Sequence, residues 1–158
     1  MPNILLTRID NRLIHGQVGV TWTKTLGANL IVVADDDTAH NEMMQQLMQV
    51  TADSSGAGSR FFTLQKTIDI IGKAAPRQKI FLVVKTPHSA RVLVEGGVPI
   101  KDLNVGNMHF SEGKRALSKK VYIDEQDAED FKALISLGVN VYIEDLPGDS
   151  KEQISHLL

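Results

Sequence analysis

The sequence predicts an α/β fold: a single doubly wound domain over 1–158, with a mostly parallel sheet of six or seven strands and helices on both faces. Three observations predict it. Short apolar runs such as Asn29-Leu30-Ile31-Val32-Val33-Ala34 recur without polar alternation, as in strands buried on both faces. Between them lie stretches with helical spacing and capping residues, so strand and helix alternate. The 158 residues are 42% hydrophobic and 23% charged, the size and balance of one globular domain with one core.

The elements follow in order. Ile4-Leu5-Leu6 is the first buried strand, and a helix starting at Gly16 or Gln17 carries Val18 to Leu26. After the strand at 29–34, the acidic run Asp35-Asp36-Asp37-Thr38 can cap a helix near 39–50. There Met43, Met44, Leu47, Met48 and Val50 lie close to helical spacing, a stripe expected in the core or at a partner contact rather than in a cofactor box. Residues 54–59 are a Ser/Gly loop, and Arg60-Phe61-Phe62-Thr63-Leu64 is a third strand. Gln65 to Lys73 is a short helix stopped by Pro76, with Ile68, Ile70 and Ile71 inward. Lys79 to Val84 gives the strongest strand signal. Thr86-Pro87 opens a helix to about Glu95, with proline near its first position and Gly96-Gly97 closing it. Leu103 to Gly106 is a fifth strand, 107–114 a loop, and Lys120 to Ile123 a sixth strand. Asp124 caps a helix over 125–137 that ends at Gly138. Val139 to Ile143 suits a sheet edge, and Ser150 to Leu158 is expected as a last helix.

Composition excludes several function classes. The net charge is -2, so no global field favours nucleic acid or an anionic membrane, and any anion site must be local. With no cysteine there is no disulfide, thiolate chemistry or cysteine-rich zinc site. The five histidines, His15, His40, His88, His109 and His156, show no paired metal-ligand spacing, so neither a metal nor a cofactor is expected. No P-loop, dinucleotide fingerprint or nucleophile elbow is present. Met1-Pro2-Asn3 lacks the features of a signal peptide, and no apolar run approaches transmembrane length. The expectation is a soluble, cytoplasmic chain.

The chemistry gathers in Arg8-Ile9-Asp10-Asn11-Arg12-Leu13-Ile14-His15-Gly16-Gln17, between the first strand and the first helix. In an open α/β sheet, ligands bind outside the carboxyl ends of the strands. A helix start beside His15 favours an anion. Arg8 and Arg12 can clamp a phosphate through paired N–H donors, Asp10 suits orienting an arginine or the imidazole, and Gly16 permits close backbone approach. Phosphoryl transfer through a histidine nucleophile fits these groups. A loop that binds a phosphorylated ligand without covalent chemistry, or an ordinary solvated loop, fits the same residues.

This segment resembles the signature of the IIB components of the mannose/fructose/sorbose family of the bacterial sugar phosphotransferase system. The likeness continues through Trp22, Ile31-Val32-Val33, Leu93 to Val98 and Asn104 to Met108. The resemblance implies that His15 takes a phosphoryl group, on Nδ1, from a phosphohistidine of a IIA component. His15 then passes it to a sugar held by the membrane components IIC and IID. It implies Arg12 and Arg8 as phosphate clamps, Asp10 as orienting partner, Gly16 and Gln17 as main-chain donors, and Thr86 as a hydroxyl contact. The IIA component is expected as a separate protein, the chain as peripherally associated with the transporter, and a homo-oligomer is allowed. Phe62 to Lys66, Arg77 to Ile80, Lys85-Thr86-Pro87 and Asn107-Met108-His109 most resemble N-acetylgalactosamine-type chains, which implies N-acetylgalactosamine or galactosamine as the sugar. Mannose, fructose and sorbose are the alternatives.

Overall fold

Why the chain builds a sheet is visible in its strands. Ile9, Val33, Ala34, Leu82, Val84, Leu103 and Val105 have no solvent-exposed surface, so these strands are covered on both faces. The computed structural model describes residues 2–158; Met1, counted in the expected domain, lies outside the described residues. In chain order the strands are β1 (Asn3–Asp10), β2 (Leu30–Ala34), β3 (Gly58–Phe62), β4 (Lys79–Val84) and β5 (Asp102–Asn107). They continue as β6 (Arg115–Ala116), β7 (Tyr122–Ile123), β8 (Asn140–Ile143) and β9 (Glu152–Gln153). The helices are α1 (Gly16–Leu26), α2 (Asp36–Ala39), α3 (Glu42–Ser54), α4 (Leu64–Ile70), α5 (Pro87–Glu95) and α6 (Glu125–Ser136).

Seven strands form one sheet in the order β3-β2-β4-β1-β5-β8-β9, all parallel except β9. Helices α4, α5 and α6 cover one face, where Phe131, Leu134 and Leu93 meet Leu82, Val84 and Val105. Helices α1 and α3 cover the other, where Trp22 and Met48 meet Ile31, Val33, Phe81 and Val83. This is the α/β architecture the sequence predicts. Strand β1 lies between β4 and β5, and the chain order reverses there, so β1 ends at a topological switch point.

Several local readings differ from the structure. Strand β1 extends to Asp10, which moves Arg8 and Asp10 from the loop into the sheet. The acidic run caps a short helix of its own: Asp35 accepts from Thr38 N at 3.1 Å and Thr38 Oγ1 at 2.7 Å. Helix α3 begins afresh at Asn41, whose side chain accepts from Met44 N at 3.1 Å. Of the methionine stripe only Met48 is buried; Met43, Met44, Leu47 and Val50 face solvent. The spacing is amphipathic, but the side that points at the sheet is set by Met48 and Ala52. Strand β3 stops at Phe62 because Thr63 turns outward to cap α4, accepting from Lys66 N at 3.0 Å. The stretch expected as a sixth strand pairs instead with Arg115–Ala116 in a separate ribbon.

The expected last helix is absent. Glu152–Gln153 pairs antiparallel with β8, and Ile154–His156 makes one tight turn that seats Ile154 with no exposed surface. A nine-residue terminal helix is marginal by itself. Closing the open edge of β8 satisfies backbone groups that a helix would leave unpaired. Among the described residues no helix is long and apolar enough to cross a membrane. Replacing Ile154 by alanine should therefore lower stability by about 2–4 kcal/mol in urea unfolding. A loss below about 0.5 kcal/mol, normal for a surface position, would show that the end of the chain is not docked.

Candidate functional site

The site is built outward from a buried arginine. Arg8 leaves β1 with 2% of its surface exposed. Its Nη1 donates to Asn104 Oδ1 on β5, and to the Glu144 carbonyl just past β8 at 3.1 Å. Its Nη2 lies 3.6 Å from Asp10 Oδ2 and 3.7 Å from Asp145 Oδ1. The guanidinium carbon sits 5.2 Å from the centroid of the Trp22 ring. Trp22 Nε1 in turn donates to the Asp145 carbonyl at 2.8 Å, and Asn104 Nδ2 to the Glu144 carbonyl at 2.9 Å. Burial pushes the Arg8 guanidinium below its usual value, while Asp10 and Asp145 push it back. Space for it comes from Gly106, where a Cβ would overlap the guanidinium. Arg8 is thus held by its own chain and does not reach the surface, unlike the exposed clamp suggested by the sequence.

Asp10, also 2% exposed, bridges inside to outside. Its Oδ1 accepts from Arg12 N and Arg12 Nε, each at 3.0 Å, and its Oδ2 accepts from Arg12 Nη2 at 3.0 Å. This paired geometry fixes the Arg12 guanidinium beside the loop. The side-chain hydrogen bond to Asp10 raises the Arg12 pKa above its usual value, so Arg12 is a cation at any working pH. Among the described residues its Nη1 has no hydrogen-bond partner.

The loop then projects His15. Leu13 N donates to the Asp10 carbonyl at 2.8 Å, and Leu13 takes φ 62°, the one positive φ outside glycine among the described residues. That conformation costs about 1 kcal/mol or more for a residue with a Cβ. Burial of Leu13 and Ile14 under α1 and α3 offsets it. With these two side chains turned inward, His15 is turned out to solvent. His15 stands at the N-cap of α1, and Gly16 follows at φ 50°. Helices α2 to α6 each have a side-chain cap, from Asp35, Asn41, Thr63, Thr86 and Asp124. Helix α1 has none, and no acidic residue in its first turn. Its positive end is open for an anion beside His15.

A groove of about 260 Å³ opens here, lined by Arg12, Ile14, His15, Gly16 and, from α3, Met44, Leu47, Met48 and Thr51. Gln17 lies in the first turn of α1, and its side chain reaches Thr21 Oγ1 at 3.4 Å. Thr86 is not among the groove's lining residues. Its hydroxyl caps α5, accepting from Ser89 N at 3.1 Å and lying 3.0 Å from Ser89 Oγ. So the structure brings Arg12, His15 and Gly16 together, sets Asp10 and Arg8 behind them, and gives Thr86 another task.

Sequence reasoning assigned no role to the residues that complete Arg8's surroundings. Asn104 had a signal, since a polar side chain inside a buried strand needs partners. Asp145 and the Glu144 carbonyl had none, because only the sheet order brings them to β1. A second tie joins the loop to β5: Asn11 N donates to the Asn107 carbonyl at 3.1 Å, and the two side-chain amides meet at 2.7 Å. With its oxygen turned toward the next loop, the Asn11 amide accepts from His109 N at 3.2 Å and His109 Nδ1 at 2.9 Å. No group of three or more acidic or histidine side chains that could hold a metal ion occurs among the described residues.

Gly106→Ala tests the Arg8 pocket. It should lose roughly 3 kcal/mol of stability by chemical denaturation, since overpacking acts on a buried ion. A well-folded variant with unchanged stability would show that the arginine has room to move.

Comparison with known proteins places this geometry. The model of the PTS system sorbose subfamily IIB component matches residues 4–158. The N-acetylgalactosamine-specific phosphotransferase enzyme IIB component 1 of Escherichia coli (strain K12) is 64% identical over 153 residues, 97% of each chain. Component 2 of the same organism is 48% identical over 158 residues, covering all of both. The crystal structure of the E. coli IIB component 1 superposes with a TM-score of 0.94 over 96% of this chain and 99% of that one, at 64% identity. The IIBSor domain of the sorbose permease from Klebsiella pneumoniae does so with 0.88 over 96% and 93%, at 33% identity. The chain therefore belongs to the sorbose-subfamily IIB components of the sugar phosphotransferase system, and is a phosphotransferase component of it.

Proposed function

We propose that His15 is the phosphoryl carrier of this IIB component. It accepts the group from the phosphohistidine of a separate IIA component and passes it to a sugar held by IIC and IID. The observation that carries the reading is the setting of His15. Among the described residues it is exposed at the N-cap of the one α-helix that lacks a side-chain cap, next to Arg12 with its free Nη1.

In the first step the N–P bond of the donor imidazole breaks as an unprotonated nitrogen of His15, Nδ1 by family resemblance, forms the new one. The donor imidazole leaves with the electron pair. In the second step a sugar hydroxyl oxygen takes the phosphoryl group, its proton leaves to a base, and His15 recovers its lone pair. Both steps need the equatorial oxygens held rather than new covalent chemistry. Arg12 Nη1 and the first amides of α1, at Gly16 and Gln17, are the donors that supply this. Asp10 orients Arg12, and Arg8 positions Asp10 from within. Thr86 supports the neighbouring helix start. Relatives named for N-acetylgalactosamine support N-acetylgalactosamine or galactosamine as the sugar, and relatives named for fructose, sorbose and mannose define the alternatives. Work at the cytoplasmic face of a transporter, by peripheral association, follows from the same reading. A pocket that only binds a phosphorylated ligand would leave no covalent label.

Incubation with phosphoenolpyruvate, the general phosphotransfer proteins and the IIA component should give acid-labile phosphate on the wild-type protein and none on His15→Ala. Normal labelling of that variant would overturn the reading. Arg12→Ala should transfer about 100-fold more slowly, the scale of one lost transition-state donor, with stability changed by less than about 1 kcal/mol because the side chain is partly exposed. Transfer at the wild-type rate would remove Arg12 from the mechanism.

A further inference from the structure

Helix α3 exposes an apolar face that none of the described residues covers. Met43 is 73% exposed, Leu47 64% and Val50 67%, and Met44 beside them is 40% exposed. From Met43 to Ala52 the helix carries no charged residue; its charges are Glu42 and Asp53, one at each end. Isolated exposed apolar residues are ordinary, but a contiguous uncharged patch marks a binding surface. This patch is continuous with the His15 groove, since Met44 and Leu47 line that groove from the α3 side.

Resting on the reading of His15 as a carrier, we infer that the exposed face of α3 is the docking platform for the protein bearing the donor phosphohistidine. The groove chooses among occupants. Its lining holds Arg12 and the start of α1 but no carboxylate, so before transfer it complements a dianionic phosphohistidine. After transfer the phosphoryl group on His15 cancels that charge and the donor loses its attraction. A neutral sugar brings no such complement. A lipid surface is a poor fit, because an interfacial helix needs basic residues and this face has none. A second copy held here would seal the groove that His15 must keep open. Methionine suits a transient contact, as its flexible thioether repacks against a partner surface.

The test is a double variant, Met43→Ser and Val50→Ser, in the intact protein, two exposed side chains outside the groove's lining. These side chains are exposed, so folding is preserved and circular dichroism checks it. Phosphorylation of His15 is followed with two donors: the phosphorylated donor protein, and phosphoramidate as a small chemical donor. The rate with the donor protein should fall at least about tenfold, as when interface anchors are truncated, while the phosphoramidate rate stays within about twofold. An unchanged rate with the donor protein overturns the docking assignment. So does a defect confined to transfer from phosphorylated His15 to sugar in transporter-containing vesicles, which would make the transporter the occupant. So does dissociation of a wild-type dimer with an unchanged donor rate, which would make it a second copy. If the wild-type protein takes phosphate from neither donor, the carrier reading itself fails.

Discussion

A buried guanidinium is the interaction on which the rest of this structure depends. Arg8 sits in the central strand of a sheet whose neighbours are valine and leucine, where an unpaired charge would cost several kcal/mol. The elements near it are arranged around that ion: Nη1 is hydrogen-bonded, and Nη2 is balanced only by two carboxylates at 3.6 and 3.7 Å. Strand β5 supplies Asn104 and removes a side chain at Gly106. The end of β8 supplies a carbonyl and the carboxylate of Asp145, α1 lays Trp22 across the ring of nitrogens, and β1 itself supplies Asp10. Asp10 is then anchored before it meets Arg12, and Arg12 is anchored before it meets an anion. The chain of fixed partners runs from the core to the surface in three residues. Such support is what lets a site hold its geometry without reorganising at the moment of reaction.

The loop that follows shows the same division of labour. Leu13 and Ile14 do no chemistry, yet their burial holds an unfavourable backbone turn and faces His15 outward. The absence of a cap on α1 is the complementary device. Five other helices fill their first turns with a side-chain oxygen, and this one leaves its first donors uncapped beside His15.

Much of this was legible in the sequence. The continuous apolar runs at 30–34 and 79–84 announce a sheet buried on both faces, and Arg8 to Gln17 gathers the charged side chains that the structure places at its carboxyl edge. What could not be read has physical causes. Periodicity says that α3 is amphipathic but not which of its sides meets the sheet, so it cannot separate the buried Met48 from the exposed Met43 and Leu47. Residues 152–153 are too short and polar to signal a strand, and become one only because β8 offers an open edge. The burial of Arg8 depends on Glu144 and Asp145, which lie far along the chain. No local pattern links them, and an arginine next to a histidine reads most simply as a ligand clamp.

That long separation has a consequence for synthesis. Arg8 is synthesised well before its partners Asn104 and Glu144, which lie 96 and 136 residues further along the chain. Until the chain has grown past Asp145, the central strand holds a cation with no complete set of partners. It also lacks both of its neighbouring strands until β4 and β5 have emerged. The sheet therefore closes late rather than growing from the N-terminus outward. A chain cut short before β8 would carry an intact His15 loop in its sequence and yet be unable to bury the arginine behind it. The proposed His15 site is thus coupled to synthesis of the chain through Asp145.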